Sequence, residues 1–175
     1  MPTQSTVPDR DTIQRAVRSA LSELVRKDSD LLEVHGHELS HVHRFGVYLE
    51  GVLGGHLTLY GLTIDMDYDR HGQLQKVLVM QPELGRMDRA EGSRFRPDLI
   101  VHHRGDDERN ALVVEWKKNA GREDIELLRD RVLRVKQIYG YMLGMLVNSH
   151  DNFVEWCVVD SDNPDLEWHS IRPGV

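Results

Sequence analysis

A chain of 175 residues makes one domain with room for a sizeable core, and its 39% hydrophobic and 29% charged content is that of a soluble globular protein. No apolar run approaches the ~20 residues of a membrane span. The first eleven residues lack a signal-peptide pattern, and the single Cys157 excludes an internal disulfide, so no membrane partner and a reducing cytoplasm are expected.

The net charge of −7 is unfavourable for a protein held to nucleic acid by charge alone. The charge is unevenly spread, however. Residues 149–175 carry six acidic side chains against one basic, whereas residues 1–148 are close to neutral, with 21 basic and 23 acidic.

Residues 1–10 are polar, contain Pro2 and Pro8, and read as a disordered N-terminus. Residues 11–175 then form a single domain, with a core at about 36–148 and an acidic strand extension at 149–175. Asp11, with Gln14 three residues on, has the pattern of a capping box. Ile13, Ala16, Val17, Ala20, Leu21, Leu24 and Val25 follow at helical spacing and predict an amphipathic helix over 12–27. Residues 28–30 break it. A second helix is expected over 36–53, with Leu39, Val42, Gly46, Leu49 and Leu53 on one stripe and Glu38 at its border.

That helix contains His37-Glu38-Leu39-Ser40-His41, the H-E-x-x-H pattern in which two histidines on one face bind zinc and the glutamate acts as base. A zinc peptidase is therefore one alternative. Against it, no third ligand is marked, and the extended form of the motif fails at Arg44 and Val47, where it needs Gly and His. The chain also has ten histidines, four of them between His35 and His43, so a chance match is unsurprising.

Residues 57–68 are rich in β-formers and alternate at Leu62, Ile64 and Met66 against Thr63, Asp65 and Asp67, which predicts a strand. A hairpin turn at 69–72 and a returning strand at 74–80 follow. A solvent-facing edge strand is the slightly favoured reading of Asp65, Asp67 and Arg70. Residues 81–95 form a polar loop with Pro82, Gly85 and Gly92. The arginines at 86, 89, 94 and 96 could contact phosphate through their planar forks, diluted by Glu83, Asp88 and Glu91.

The most informative stretch is 94–118. Leu99, Ile100 and Val101 form one apolar strand and residues 111–114 another, joined by the turn formers Gly105, Asp106 and Asp107. Side chains alternate along a strand, so Glu115 and Lys117 share a face that Trp116 does not. If the strands are neighbours, Asp98 lies beside Glu115. Two carboxylates and an ammonium would then converge, a grouping suited to holding Mg²⁺ and cutting a phosphodiester.

Beyond it, a helix is expected over 123–138, with Ile125, Leu128, Val132 and Val135 toward the sheet and Arg129, Arg131 and Arg134 mostly outward. Strands follow at 139–147 and 153–160, and a short edge strand at 166–171.

Pro97-Asp98, a gap of sixteen residues and then Glu115-x-Lys117 resembles the signature of the PD-(D/E)xK nuclease superfamily. The resemblance covers residues 38–147. It is carried by Glu38, Asp65-x-Asp67-Tyr68, residues 97–102, Arg104-Gly105, Asn110 and residues 115–118. Asp67 and Asp69 depart from it, standing where the superfamily usually has Glu and Asn.

The resemblance implies an α/β fold with a restriction endonuclease-like αβββαβ core, a mixed central sheet flanked by helices. It implies a Mg²⁺-dependent endonuclease, with Mn²⁺ as substitute, acting on nucleic acid and foremost on DNA. Asp98, Glu115 and Lys117 would be catalytic; Asp98, Glu115 and Glu38 would ligate metal. Asp65 or Asp67 could face the metal as well, and Arg70 could hold phosphate. Arg70, Arg94, Arg96, Arg104 and Lys118 are weaker candidates for nucleic-acid contact. A homodimer is a natural expectation, because one small nuclease domain cuts one strand. The rival reading is a nuclease-fold binding or assembly protein without useful activity.

Overall fold

The computed structural model describes residues 7–33, 37–67, 70, 71, 74, 75, 96–163 and 165–174. The chain is mixed α/β, with a six-stranded mixed sheet flanked by helices. Among the described residues no helix is long and apolar enough to cross a membrane.

Helix α1 (Arg10–Lys27) buries Ile13, Ala16, Val17, Ala20, Leu21, Leu24 and Val25, the stripe expected from spacing. Its cap is Asp9, not Asp11: the Asp9 carboxylate accepts from Thr12 N–H at 2.7 Å. The helix thus starts inside the segment expected to be disordered. Val7 packs on the core, Pro8 is buried, and Arg10 pairs with Asp160, contacts that hold this segment down.

A short helix, α2 (Ser29–Glu33), follows the break. Asp28 fixes the turn by accepting from Arg44 Nε at 3.0 Å and Tyr48 Oη at 2.6 Å, both on the next helix.

That helix, α3 (Glu38–Tyr60), runs about two turns past its expected end. Residues 57–60 contain β-formers, but Leu57 continues the buried row of Val42, Phe45, Gly46, Leu49 and Leu53, and burial outweighs local propensity. Gly61, at φ 65°, closes the helix in the left-handed conformation that glycine adopts without strain. Leu39, expected on the stripe, is 60% exposed; His41 takes a buried place instead.

Strand β1 (Thr63–Met66) is therefore shorter than predicted. Strands β2 (Arg70–His71) and β3 (Leu74–Gln75) pair antiparallel as a separate two-stranded ribbon, in keeping with the expected hairpin. The rest of the returning strand and the arginine loop, including Arg86, Arg89 and Arg94, lie outside the described residues.

The main sheet has the order β1, β4 (Leu99–His102), β5 (Asn110–Lys118), β6 (Leu143–Ser149), β7 (Val154–Val159), β8 (His169–Ile171). All neighbours are antiparallel except β5 and β6. That parallel pair needs a crossover, which α4 (Arg122–Tyr139) supplies. Every residue of β4 and β6 and the first seven of β5 are buried, as continuous apolar runs covered on both faces predict.

The faces differ in what they pack against. Leu112, Val114 and Trp116 join the core formed with α1 and α3, whereas Ile100 and Val113 join Leu128, Val132 and Val135 of α4. Close approach sets both layers. A Cβ on Gly144 of β6 would lie 2.5 Å from Val132 Cγ1 of α4, and one on Gly46 of α3 would lie 3.0 Å from Met66 Sδ.

Candidate functional site

The site forms at the end of the β4–β5 pair, where both strands leave their regular ladder. Leu99 is in register with Val114. One residue earlier, Asp98 takes over with its side chain: its Oδ2 accepts from Trp116 N–H at 2.6 Å, while its carbonyl accepts from Asp67 N–H at 3.1 Å. The strand edge thus fixes the Asp98 carboxylate against β5.

By alternation from Val113, Glu115 and Lys117 fall on the α4 side of the sheet. Glu115 is only 3% exposed. Its Oε2 lies 3.5 Å from Arg131 Nη1 of α4, and its Oε1 is buried without a hydrogen-bond partner. Burial, then the charge of Asp98, push the Glu115 pKa up to about 8, against the pull of Arg131 and Lys117. Burial likewise raises Asp98 to about 6, despite the Trp116 N–H; the Glu38 charge adds to the rise.

Lys117 Nζ lies 3.0 Å from Glu38 Oε1, which brings the first residue of α3 to the same place. The hydrogen bond to Glu38 raises the Lys117 pKa, aided by the charges of Glu38, Asp124 and Asp98. Glu38, Asp98, Glu115 and Lys117, distant in sequence, are therefore brought together. Glu38 is engaged with the ammonium, and among the described residues no group of three or more His, Cys, Asp or Glu side chains is disposed to hold a metal ion. The residues that could hold a divalent cation are Asp98 and Glu115, two hard oxygen donors. The unpartnered buried oxygen of Glu115 suits such a role, because an orphaned carboxylate in the interior is costly without a cation.

The opposite face of β5 is an anchor. Trp116 packs against Phe45 and His41, with ring centroids 5.6 and 6.2 Å away, and its Nε1–H donates to Ser149 Oγ at 3.0 Å. Ser149 Oγ is 3.2 Å from His41 Nδ1, and His41 Nε2–H donates to the Leu31 carbonyl at 3.1 Å. Burial lowers the His41 pKa, which matches a neutral ring with both nitrogens in use. The second histidine of H-E-x-x-H is thus buried with both ring nitrogens against protein groups, and Glu38 serves Lys117. The zinc-peptidase reading loses its geometric basis here.

The weaker nucleic-acid candidates are mostly engaged within the chain. Arg104 pairs with Asp65 through two nitrogens, and His102 Nε2 lies 2.9 Å from the same carboxylate. Although burial works the other way, Arg104 and then His102 hold Asp65 below its usual pKa, and its carboxylate is engaged by those two side chains. Arg96 lies 3.6 Å from Asp67, and Lys118, whose side chain is 12% exposed, donates to the Leu32 carbonyl at 3.3 Å and pairs with Asp151 at 3.7 Å. Arg94 and the side chain of Arg70 lie outside the described residues.

Arg131 is the site residue that sequence reasoning assigned elsewhere, to the solvated face of α4. The signal was present: it is three residues after Leu128 and four before Val135, within the stripe that faces the sheet. Comparison with family models, with curated proteins and with solved structures finds no match for this chain.

Proposed function

We propose that the protein is a divalent-cation-dependent phosphodiesterase of the PD-(D/E)xK kind, acting on nucleic acid and foremost on DNA. The observation that carries this reading is the buried Glu115, with one oxygen unpartnered, beside Asp98. With the separate β2–β3 ribbon set aside, the order α3, β1, β4, β5, α4, β6 supports a restriction endonuclease-like αβββαβ core.

In this reading Asp98 and Glu115 hold Mg²⁺, or Mn²⁺ in its place. Such a bound cation supplies Lewis acidity and lowers the pKa of its water. Asp98 is kept in position by the Trp116 main chain. Lys117, its pKa raised by Glu38, stays an ammonium near neutral pH; it therefore orients water and offsets phosphate charge rather than acting as the base. Glu38 keeps that ammonium in place.

The test is incubation of purified protein with plasmid and with linear DNA in Mg²⁺ or Mn²⁺. Strand cleavage is expected, falling by about 100-fold or more in Asp98→Ala and in Lys117→Ala. Cleavage that persists in both variants overturns the assignment.

The net charge of −7 and the internal pairing of Lys117 and Arg131 favour a second reading, a binding or assembly protein on the same fold without hydrolytic activity. Failure of Mn²⁺ to bind in a manner dependent on Asp98 would select it.

A further inference from the structure

Two carboxyl groups buried at one strand end can both be ionised only beside a compensating positive charge. Arg131 provides one. Its Nη1 approaches Glu115 Oε2 at 3.5 Å, and its charge acts on Asp98 as well as on Glu115. At 3.5 Å the approach is longer than the usual charge-assisted hydrogen bond, and it leaves Glu115 Oε1 unpartnered. A third of the Arg131 side chain is exposed (33%), whereas Glu115 is enclosed. A guanidinium on a helix stripe otherwise made of Leu128, Val132 and Val135 stands at the boundary between the carboxylates and solvent.

We propose that Arg131 is a positioning residue that substitutes for the divalent cation, holding Glu115 in place in the metal-free protein and yielding the carboxylate when the metal binds. The inference rests on the reading of Asp98 and Glu115 as metal ligands. It differs from a purely structural ion pair in one respect: guanidinium and metal compete. A bridge that merely braced α4 against β5 would weaken metal binding when removed. A competitor, once removed, strengthens it.

The experiment measures Mn²⁺ binding by electron paramagnetic resonance and by calorimetry, without substrate, in the wild type, Arg131→Met, Arg131→Lys and Asp98→Asn. Circular dichroism confirms that each is folded. Arg131→Met should bind Mn²⁺ at least about fivefold more tightly than wild type, the low end of ordinary coupling between two sites. Arg131→Lys, which keeps a cation without the planar fork, should fall between them. If Arg131→Met does not fold, the lysine variant alone decides, and affinity equal to or below that of the wild type overturns the proposal. Equal or weaker binding in Arg131→Met, with binding still lost in Asp98→Asn, refutes competition while leaving the metal site intact. No Asp98-dependent binding in any variant overturns both the competition and the reading beneath it.

Discussion

At the scale of single residues, two carboxylates dominate the electrostatics. Asp98 and Glu115 hold protons more tightly when folded, with pKa values pushed to about 6 and about 8 from the usual 3.8 and 4.5. Their contribution to stability is therefore complete below the unfolded values and is lost as pH rises through the folded ones. The urea midpoint of the metal-free protein should fall between pH 5 and pH 8.5, and Glu115→Gln should remove the upper part of the fall. At pH 8.5 this variant is expected to be more stable than wild type by on the order of 2 kcal/mol; superimposable pH profiles would refute the assignment. Glu38 poses a separate question, ligand or partner of Lys117. Glu38→Ala should lower the cleavage rate about tenfold and leave Mn²⁺ affinity nearly unchanged, because the glutamate acts through the lysine. A comparable loss of affinity would make it a ligand.

At the scale of elements, the β4–β5 pair was legible because both strands are buried on both faces and so appear as unbroken apolar runs ending in charged residues. The α3 boundary was not. Thr58 and Tyr60 favour strands locally, and only the tertiary stripe through Leu53 and Leu57 decides for helix. The cap of α1 was misplaced by two residues for a similar reason: Asp9 and Asp11 are equivalent in type, and the carboxylate that reaches Thr12 N–H is chosen by geometry. Arg131 escaped because its partner belongs to another element, so that its place within an apolar stripe looked like the margin of a solvated face. The contact between α4 and β6 gives a sharper test of packing. Gly144→Ala drives a methyl group toward Val132, and the loss should be about 1–3 kcal/mol in chemical denaturation. An unchanged midpoint would mean that α4 sits farther from the sheet than described.

At the scale of the whole molecule, the sheet has different roles on its two faces. On one, Trp116, Ser149 and His41 form a polar chain sealed beneath α1 and α3, which fixes β5 in rotation. On the other, that rotation directs Glu115 toward α4. The sequence showed the alternation but not what covers each face, since the order β5–α4–β6 becomes a layered arrangement only once the crossover closes. The five groups of the candidate centre come from three layers: Glu38 from one helix, Asp98 with Glu115 and Lys117 from the sheet, and Arg131 from the helix on the far side. A centre divided in this way has no local precursor. No single hairpin or helix carries all of it, and loosening of either outer layer takes away at least one of its groups. On the proposed reading, hydrolysis should therefore vanish no later along a urea titration than the shift in tryptophan emission, and a half-unfolded but still cleaving species should not exist.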